Sequence, residues 1–154
     1  MDFETDGEVK IKNPDNVHIG KNVFIGHGTF IDGYHSRGGC VEIGDGSWIG
    51  QMCYLHGAGS IGIGERVGIG PCTKILSSYH DLDCGRLHPI IGNPIETRLV
   101  RIEKNCDVGV GSIILPGVTL GEGSMVGAGS VVTKTFPEYS VVAGNPAKLL
   151  RTRK

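Results

Sequence analysis

Long apolar runs are missing from this chain. No stretch approaches the roughly 18 consecutive apolar residues of a membrane-spanning helix. The opening Met1-Asp2-Phe3-Glu4-Thr5-Asp6 is acidic where a secretory signal is basic and then apolar. A cytoplasmic protein with no membrane span is expected. Excess positive charge is missing as well: a formal net charge of -1 supplies none of the counterion release that draws proteins onto nucleic acid, so no nucleic-acid partner is expected. Cysteine is present in a form that excludes its usual frameworks. Cys40, Cys53, Cys72, Cys84 and Cys106 are five in number with no CxxC pair, which suits neither a disulfide scaffold nor a zinc ribbon and casts them as small apolar fillers, with no metal expected.

Aromatic residues are scarce at 6% and charged residues stand at 20%, while glycine numbers 26 in 154 residues without the triplet period of collagen. The length suits one domain, and 39% hydrophobic content fills one core. Glycine recurs at a fixed phase. An aliphatic residue falls every six positions at Ile19, Ile25 and Ile31, at Ile43, Ile49 and Leu55, at Ile63, Ile69 and Ile75, and from Ile102 through Val108, Ile114, Leu120 and Val126 to Val132. Glycine follows at most of these steps, as in Ile49-Gly50 and Val108-Gly109, and two positions earlier sits a small or β-branched residue such as Val23, Thr29, Ser47, Cys53 or Ser112. Residues two apart on a strand face one side, so both sets point inward, and glycine is expected to supply a turn conformation that a side chain would forbid. Three hexads close one triangular coil, and coils stack by pairing their strands in parallel. The fold class is all-β: a parallel β-helix over about residues 17–135 within a single domain, 1–154, closed by a cap at 136–154.

The repeat breaks at Asp32–Gly39, slips briefly at Gly57–Gly62, and is interrupted from Ser77 to about Leu99. The last segment is too long for a turn and is expected to project as a loop, about 77–99, where a rigid scaffold places function. Flat prism faces favour side-by-side association, so a closed cyclic homo-oligomer is expected, a homotrimer by preference. In the cap, Asn145-Pro146 has the pattern of a helix start, predicting a short C-terminal helix that carries Lys148, Arg151, Arg153 and Lys154 toward a phosphate-bearing ligand.

The run Gly111-Ser112-Ile113-Ile114-Leu115-Pro116-Gly117-Val118-Thr119-Leu120-Gly121, then Val126-Gly127-Ala128-Gly129-Ser130-Val131-Val132-Thr133-Lys134, then Ala143-Gly144-Asn145-Pro146-Ala147-Lys148 resembles the hexapeptide-repeat acetyltransferases, among them the galactoside, maltose, streptogramin and polysaccharide O-acetyltransferases. The likeness covers roughly residues 17 to 151. It implies a left-handed parallel β-helix, a trimer, and acetyl-CoA as acyl donor, bound between adjacent subunits. It also implies a catalytic histidine on the extended loop, followed by an acidic residue, a position matched by His80-Asp81. The family's cofactor contacts fall on Ala128, Thr133, Lys134, Lys148 and Arg151, and Gly109 is expected to bind the cofactor with them. The chain departs from the family in two places. Asp107-Val108-Gly109 stands where many relatives have Trp-Ile-Gly, and about sixteen residues precede the first coil where the galactoside and maltose enzymes carry a longer helical segment. Their sugar specificity is therefore not carried over.

Acyl transfer from a thioester needs a base, a donor for the oxyanion and close juxtaposition of two substrates. His80 is assigned as base because imidazole titrates near neutrality. Backbone N–H groups near Gly109 or Gly127 are candidates for the oxyanion donor. Asp81, Asp83 or a loop carbonyl is expected to orient the ring. Tyr79, Asp81 and His56 are expected to touch the acceptor, a small molecule and most readily a sugar. His18, His27 and His35 read as surface residues, and His88 as structural. The expected activity is acetyl-CoA-dependent O-acetylation. The alternatives are N-acetylation of an amino-sugar nucleotide, a non-catalytic assembly platform, and a γ-type carbonic anhydrase, whose three zinc histidines the spacing of His56, His80 and His88 does not match.

Overall fold

Because the inward residues recur at one phase, every strand lands on its equivalent six-residue unit one coil away. The computed structural model describes residues 3–34 and 38–154, so His35 lies outside the described residues. Three parallel sheets form the faces of a prism of about six coils. The first sheet stacks β1 (Lys10–Lys12), β4 (Phe30–Asp32), β7 (Tyr54–His56), β10 (Lys74–Leu76), β15 (Ile113–Ile114) and β18 (Val131–Val132). The second stacks β2 (Val17–Ile19), β5 (Val41–Ile43), β8 (Ile61–Ile63), β13 (Val100–Ile102) and β16 (Thr119–Leu120). The third stacks β3 (Phe24–Ile25), β6 (Trp48–Ile49), β9 (Gly68–Ile69), β14 (Asp107–Val108), β17 (Met125–Val126) and β19 (Ser140–Gly144), with β20 (Ala147–Thr152) at its end. No helix of the described residues is long and apolar enough to cross a membrane.

In the first sheet Ile31, Leu55, Ile75, Ile114 and Val132 fall in register and are fully buried, which makes a continuous aliphatic column. The small inward residues that precede the strands have a second task. Thr29 Oγ1 donates to the Gly50 carbonyl at 2.9 Å, Ser47 Oγ to Gly64 at 2.9 Å, Ser112 Oγ to Gly109 at 2.7 Å and Ser130 Oγ to Gly127 at 2.6 Å. These hydroxyls satisfy carbonyls that turn inward at the corners, and no buried side-chain nitrogen or oxygen among the described residues lacks a partner. Cys53 before β7 of the first sheet and Cys106 before β14 of the third fill equivalent positions, donating to Gly70 and Gly121, and burial pushes both thiols up to about 11. Cys72 departs from the filler reading, since it stands exposed at a corner, and Cys40 and Cys84 are half-buried.

The glycine after each aliphatic residue serves close approach rather than turn conformation. A Cβ on Gly109 would lie 2.5 Å from the Ala128 nitrogen of the next coil, and one on Gly64 would lie 2.6 Å from the Lys104 nitrogen. The left-handed backbone falls elsewhere, at Gly28, Met52, Cys72, Gly111 and Gly129, so that even Met and Cys occupy it.

The expected C-terminal helix is not formed. Asn145-Pro146 is a cis peptide in a tight turn, and residues 147–152 run back as β20, antiparallel to β19. A helix would have left the outer edge of β19 without partners, whereas the reversed strand pairs it.

The ladder also reaches back beyond Val17: β1 pairs with β4, and Glu4 bridges Phe24. Asp6 fastens this stretch. Its carboxylate accepts from Gln51 Nε2 at 2.8 Å and from the His27 N–H at 2.7 Å, and lies 3.2 Å from His27 Nδ1. The bond from Gln51 and then those from His27 hold the Asp6 carboxyl down at about 2, against an ordinary 3.8. A depressed acid favours the folded state above its ordinary value, and the benefit is lost as pH falls through the folded one. Asp6→Ala is expected to lower the thermal midpoint at pH 7, with the difference from wild type closing as pH falls from 3.8 to about 2, as read by circular dichroism melts.

Candidate active site

The long interruption is an antiparallel arm. After β10 the chain forms β11 (Ser78–His80), which pairs with β12 (Ile95–Thr97) in the register Ser78–Thr97, Tyr79–Glu96 and His80–Ile95. The Arg98 N–H donates to the Ser77 carbonyl at 2.9 Å and closes the base of the arm. His80 ends β11 half-buried, with Nδ1 3.3 Å from the Asn93 carbonyl. A carbonyl only accepts, so this bond requires the proton on Nδ1 and leaves the Nε2 lone pair free. Asn93 is itself 8% exposed, its Nδ2 donates to the Asp81 carbonyl at 2.7 Å, and the Asp81 N–H donates to Pro94 at 2.8 Å. The orienting group is therefore a loop carbonyl, one of the three expected possibilities.

Asp81 does not orient the ring. Its carboxylate accepts from the Asp83 N–H at 2.9 Å and from the Cys84 thiol at 3.3 Å. The bond from Asp83 and then that from Cys84 hold the carboxyl below its ordinary value. Strand alternation puts Ser78 and His80 on one side of β11 and Tyr79 on the other, where the Arg98 guanidinium lies 5.7 Å from the Tyr79 ring centre. His56, at the end of β7, is joined to the His80 side through Ser78, whose Oγ is 3.3 Å from His56 Nδ1. Tyr54 stacks on the His56 ring at 6.0 Å and Tyr34 meets it edge-on at 5.2 Å. The neighbouring Asp32, only 4% exposed, is raised by burial, but bonds from the Tyr34 N–H, Asn13 and Lys12 outweigh this and leave it below its ordinary value. Ser78, Asn93 and Asp32 were not among the sequence candidates. Ser78 alone carried a signal, two positions before the histidine on an extended segment.

The cofactor candidates divide between two corners of the prism. Gly109 and Ala128 lie where the third sheet turns into the first, and Lys148, paired with Ala143, lies at the top of that corner. Arg151 pairs with Val141 on the third sheet, while Thr133 and Lys134 follow β18 at the corner from the first sheet into the second, the corner from which the arm springs. Among the described residues no hydrogen bond, ion pair or ring contact joins His80 to any of them within one chain. Of the backbone donors expected near Gly109 or Gly127, the two glycines' own are committed, since Gly109 N–H donates to Val126 and Gly127 N–H to Val142, both at 2.8 Å. The Ala128 N–H beside them has no partner among the described residues. No group of three or more His, Cys, Asp or Glu among those residues is placed to hold a metal ion.

A triangular parallel solenoid with a histidine-bearing arm defines the hexapeptide-repeat class. Residues 99–134 match the family described as "Hexapeptide repeat of succinyl-transferase". The Escherichia coli K12 protein named "Putative colanic acid biosynthesis acetyltransferase WcaF" is 33% identical over 135 residues, covering 88% of this chain and 69% of that one. A Schizosaccharomyces pombe protein named "Putative acetyltransferase" is 37% identical over 139 residues, 88% of this chain but 53% of its own length, so this chain spans about half of that relative. Among solved structures, a point mutant of AntD, an N-acyltransferase from Bacillus cereus, in complex with dTDP-4-amino-4,6-dideoxyglucose and coenzyme A, superposes with a TM-score of 0.83 at 27% identity, covering 99% of this chain and 83% of that one. A maltose O-acetyltransferase from Clostridium difficile 630 superposes at 0.69 and 26% identity, covering 99% and 67%. The chain belongs to the hexapeptide-repeat acetyltransferase family.

Burial lowers the His56 pKa, and the Asp32 charge opposes the shift. In an NMR titration His56 is expected to change charge below the ordinary histidine value of 6.5, and Asp32→Asn is expected to move it lower still.

Proposed function

We propose that this protein transfers an acetyl group from acetyl-CoA to a hydroxyl of a sugar or similar small acceptor, with His80 as general base. The observation that carries this reading is the Nδ1 bond of His80 to the Asn93 carbonyl at 3.3 Å, which leaves Nε2 as the proton acceptor on a braced arm. Nε2 takes the hydroxyl proton as the acceptor oxygen attacks the thioester carbon. The resulting oxyanion is met by the free N–H of Ala128. The C–S bond then breaks, and the imidazolium returns its proton to the coenzyme A thiolate, giving an acetyl ester and free coenzyme A. The donor lies along the corner with Gly109, Ala128 and Lys148, with Thr133, Lys134 and Arg151 as further contacts, and Tyr79, Asp81 and His56 remain candidates for the acceptor side.

Because His80 and Ala128 belong to different corners of one prism, a complete site is assembled from two copies, and a homotrimer closes three such sites. A second reading, N-acylation of an amino-sugar nucleotide, is favoured by the AntD likeness, since that relative is an N-acyltransferase bound to such a nucleotide. An unprotonated amine needs the same base at the same place. A panel of sugars against amino-sugar nucleotides decides between the two.

His80→Ala is expected to lower kcat by about a hundredfold or more while the Kd for coenzyme A stays unchanged. Ala128→Trp is expected to abolish donor binding. Mixed trimers of the two inactive variants are expected to recover activity, because some sites then combine an intact His80 with an intact donor corner. If His80→Ala retains wild-type kcat, or if the mixture stays inactive while both variants assemble, the assignment fails.

A further inference from the structure

We infer that the third sheet carries a slot for a pyranose ring, formed by the open face of Trp48, the missing side chain at Gly68 and the carboxylate of Asp107. One outward row of that sheet reads Phe24, Trp48, Gly68, Asp107 and Met125 in register. Phe24 stacks on Trp48 with ring centres 5.5 Å apart and planes 7° from parallel, covering one indole face. The other face is turned toward the row position of Gly68, which has no side chain to cover it, and Trp48 stays 41% exposed. A Cβ placed on Gly68 would meet no atom of Trp48 within 4 Å, only the Asp107 carboxylate, whose Oδ1 leans in from the opposite side at 2.5 Å. The Asp107 backbone N–H donates to the Ser124 carbonyl at 2.9 Å, but the carboxylate itself has no hydrogen bond or ion pair among the described residues.

The dimensions and chemistry choose the occupant. From the Trp48 strand to the Asp107 strand is two ladder spacings, about 9.5 Å. A ring stacked about 3.7 Å from the indole leaves its substituents within hydrogen-bond reach of the carboxylate. A carboxylate only accepts, so the ligand must present donors on its rim and an apolar face to the indole. A pyranose, with C–H bonds on its face and hydroxyl or amino groups around it, does both. A cavity of about 440 Å³ lined by Arg66, Gly68, Asn105, Asp107, Met125 and Arg153 adjoins the slot and gives the rest of a glycoside somewhere to lie.

Asp107 lies two residues before Gly109 on β14, about 7 Å along the strand, so a ring in the slot sits beside the corner proposed for the thioester. As the acceptor subsite, the slot rests on the acetyl-transfer reading. As a glycoside site, it does not.

Trp48 is the only tryptophan of the chain, so its fluorescence reports directly on the slot without turnover. Titration with methyl β-D-galactopyranoside, methyl α-D-glucopyranoside and glucosamine is expected to give a saturable change for at least one. Gly68→Val fills the slot with a residue that suits a strand and displaces only the flexible end of Asp107. It is expected to weaken that binding at least tenfold with the thermal midpoint unchanged, and Gly68→Ala provides the same test with less bulk. Asp107→Asn is expected to weaken it about tenfold, the scale of one hydrogen bond to a charged group. In the transfer assay Gly68→Val raises the acceptor KM and leaves the KM for acetyl-CoA unchanged. The inference is overturned if no glycoside moves the fluorescence, if folded Gly68→Val and Gly68→Ala respond like wild type, or if coenzyme A alone gives the Gly68-dependent response.

Discussion

Coils held about 4.8 Å apart by parallel ladders are the constraint from which the rest of this structure follows. At that spacing each residue stacks on its equivalent in the next coil, which aligns aliphatic on aliphatic from Ile31 to Val132. It leaves no room for a Cβ where corners nearly touch, as at Gly109 over Ala128. It also turns corner carbonyls into the core, where a short hydroxyl or thiol such as Ser112, Ser130 or Cys106 reaches them. Buried polar residues are therefore part of the framework, and a larger apolar residue in that column would both crowd the corner and orphan a carbonyl.

The coil architecture was legible in the sequence because one hexad maps onto one strand and one corner. The purpose of glycine was harder to read, since close approach and left-handed backbone select the same residue. Only the folded structure separates Gly64, pressed against the next coil, from Gly111, whose backbone is left-handed. At Asn145-Pro146 a helix start and a tight turn share one residue pattern, and the unpaired edge of β19, which no local pattern encodes, decided between them. His80 was legible as a histidine in the longest break of the repeat. Its orienting partner was not, because every residue carries a carbonyl and only the return of the arm brings that of Asn93 to the ring. The acidic neighbour Asp81 was the natural expectation, and it is consumed by its own turn.

A three-sided rod presents its chemistry on separate corners, and rigidity keeps them apart. The arm rises from one corner, while Gly109 and Ala128 lie on another. No hinge of the solenoid could bring them together without breaking ladders on all three faces. In the proposed homotrimer, association of rigid copies would solve by symmetry what flexibility cannot, and the distance between donor and base would be set by how two faces dock.

The reversed strand at the top of the third sheet bears on solubility. A solenoid whose outermost coil ran parallel like the others would offer a template in register for the next rod, and such rods would grow end to end into fibres. By turning back at Asn145-Pro146, β20 presents an opposite polarity and a fringe of Lys148 and Arg151. On the third sheet it removes the parallel template that end-to-end growth would need.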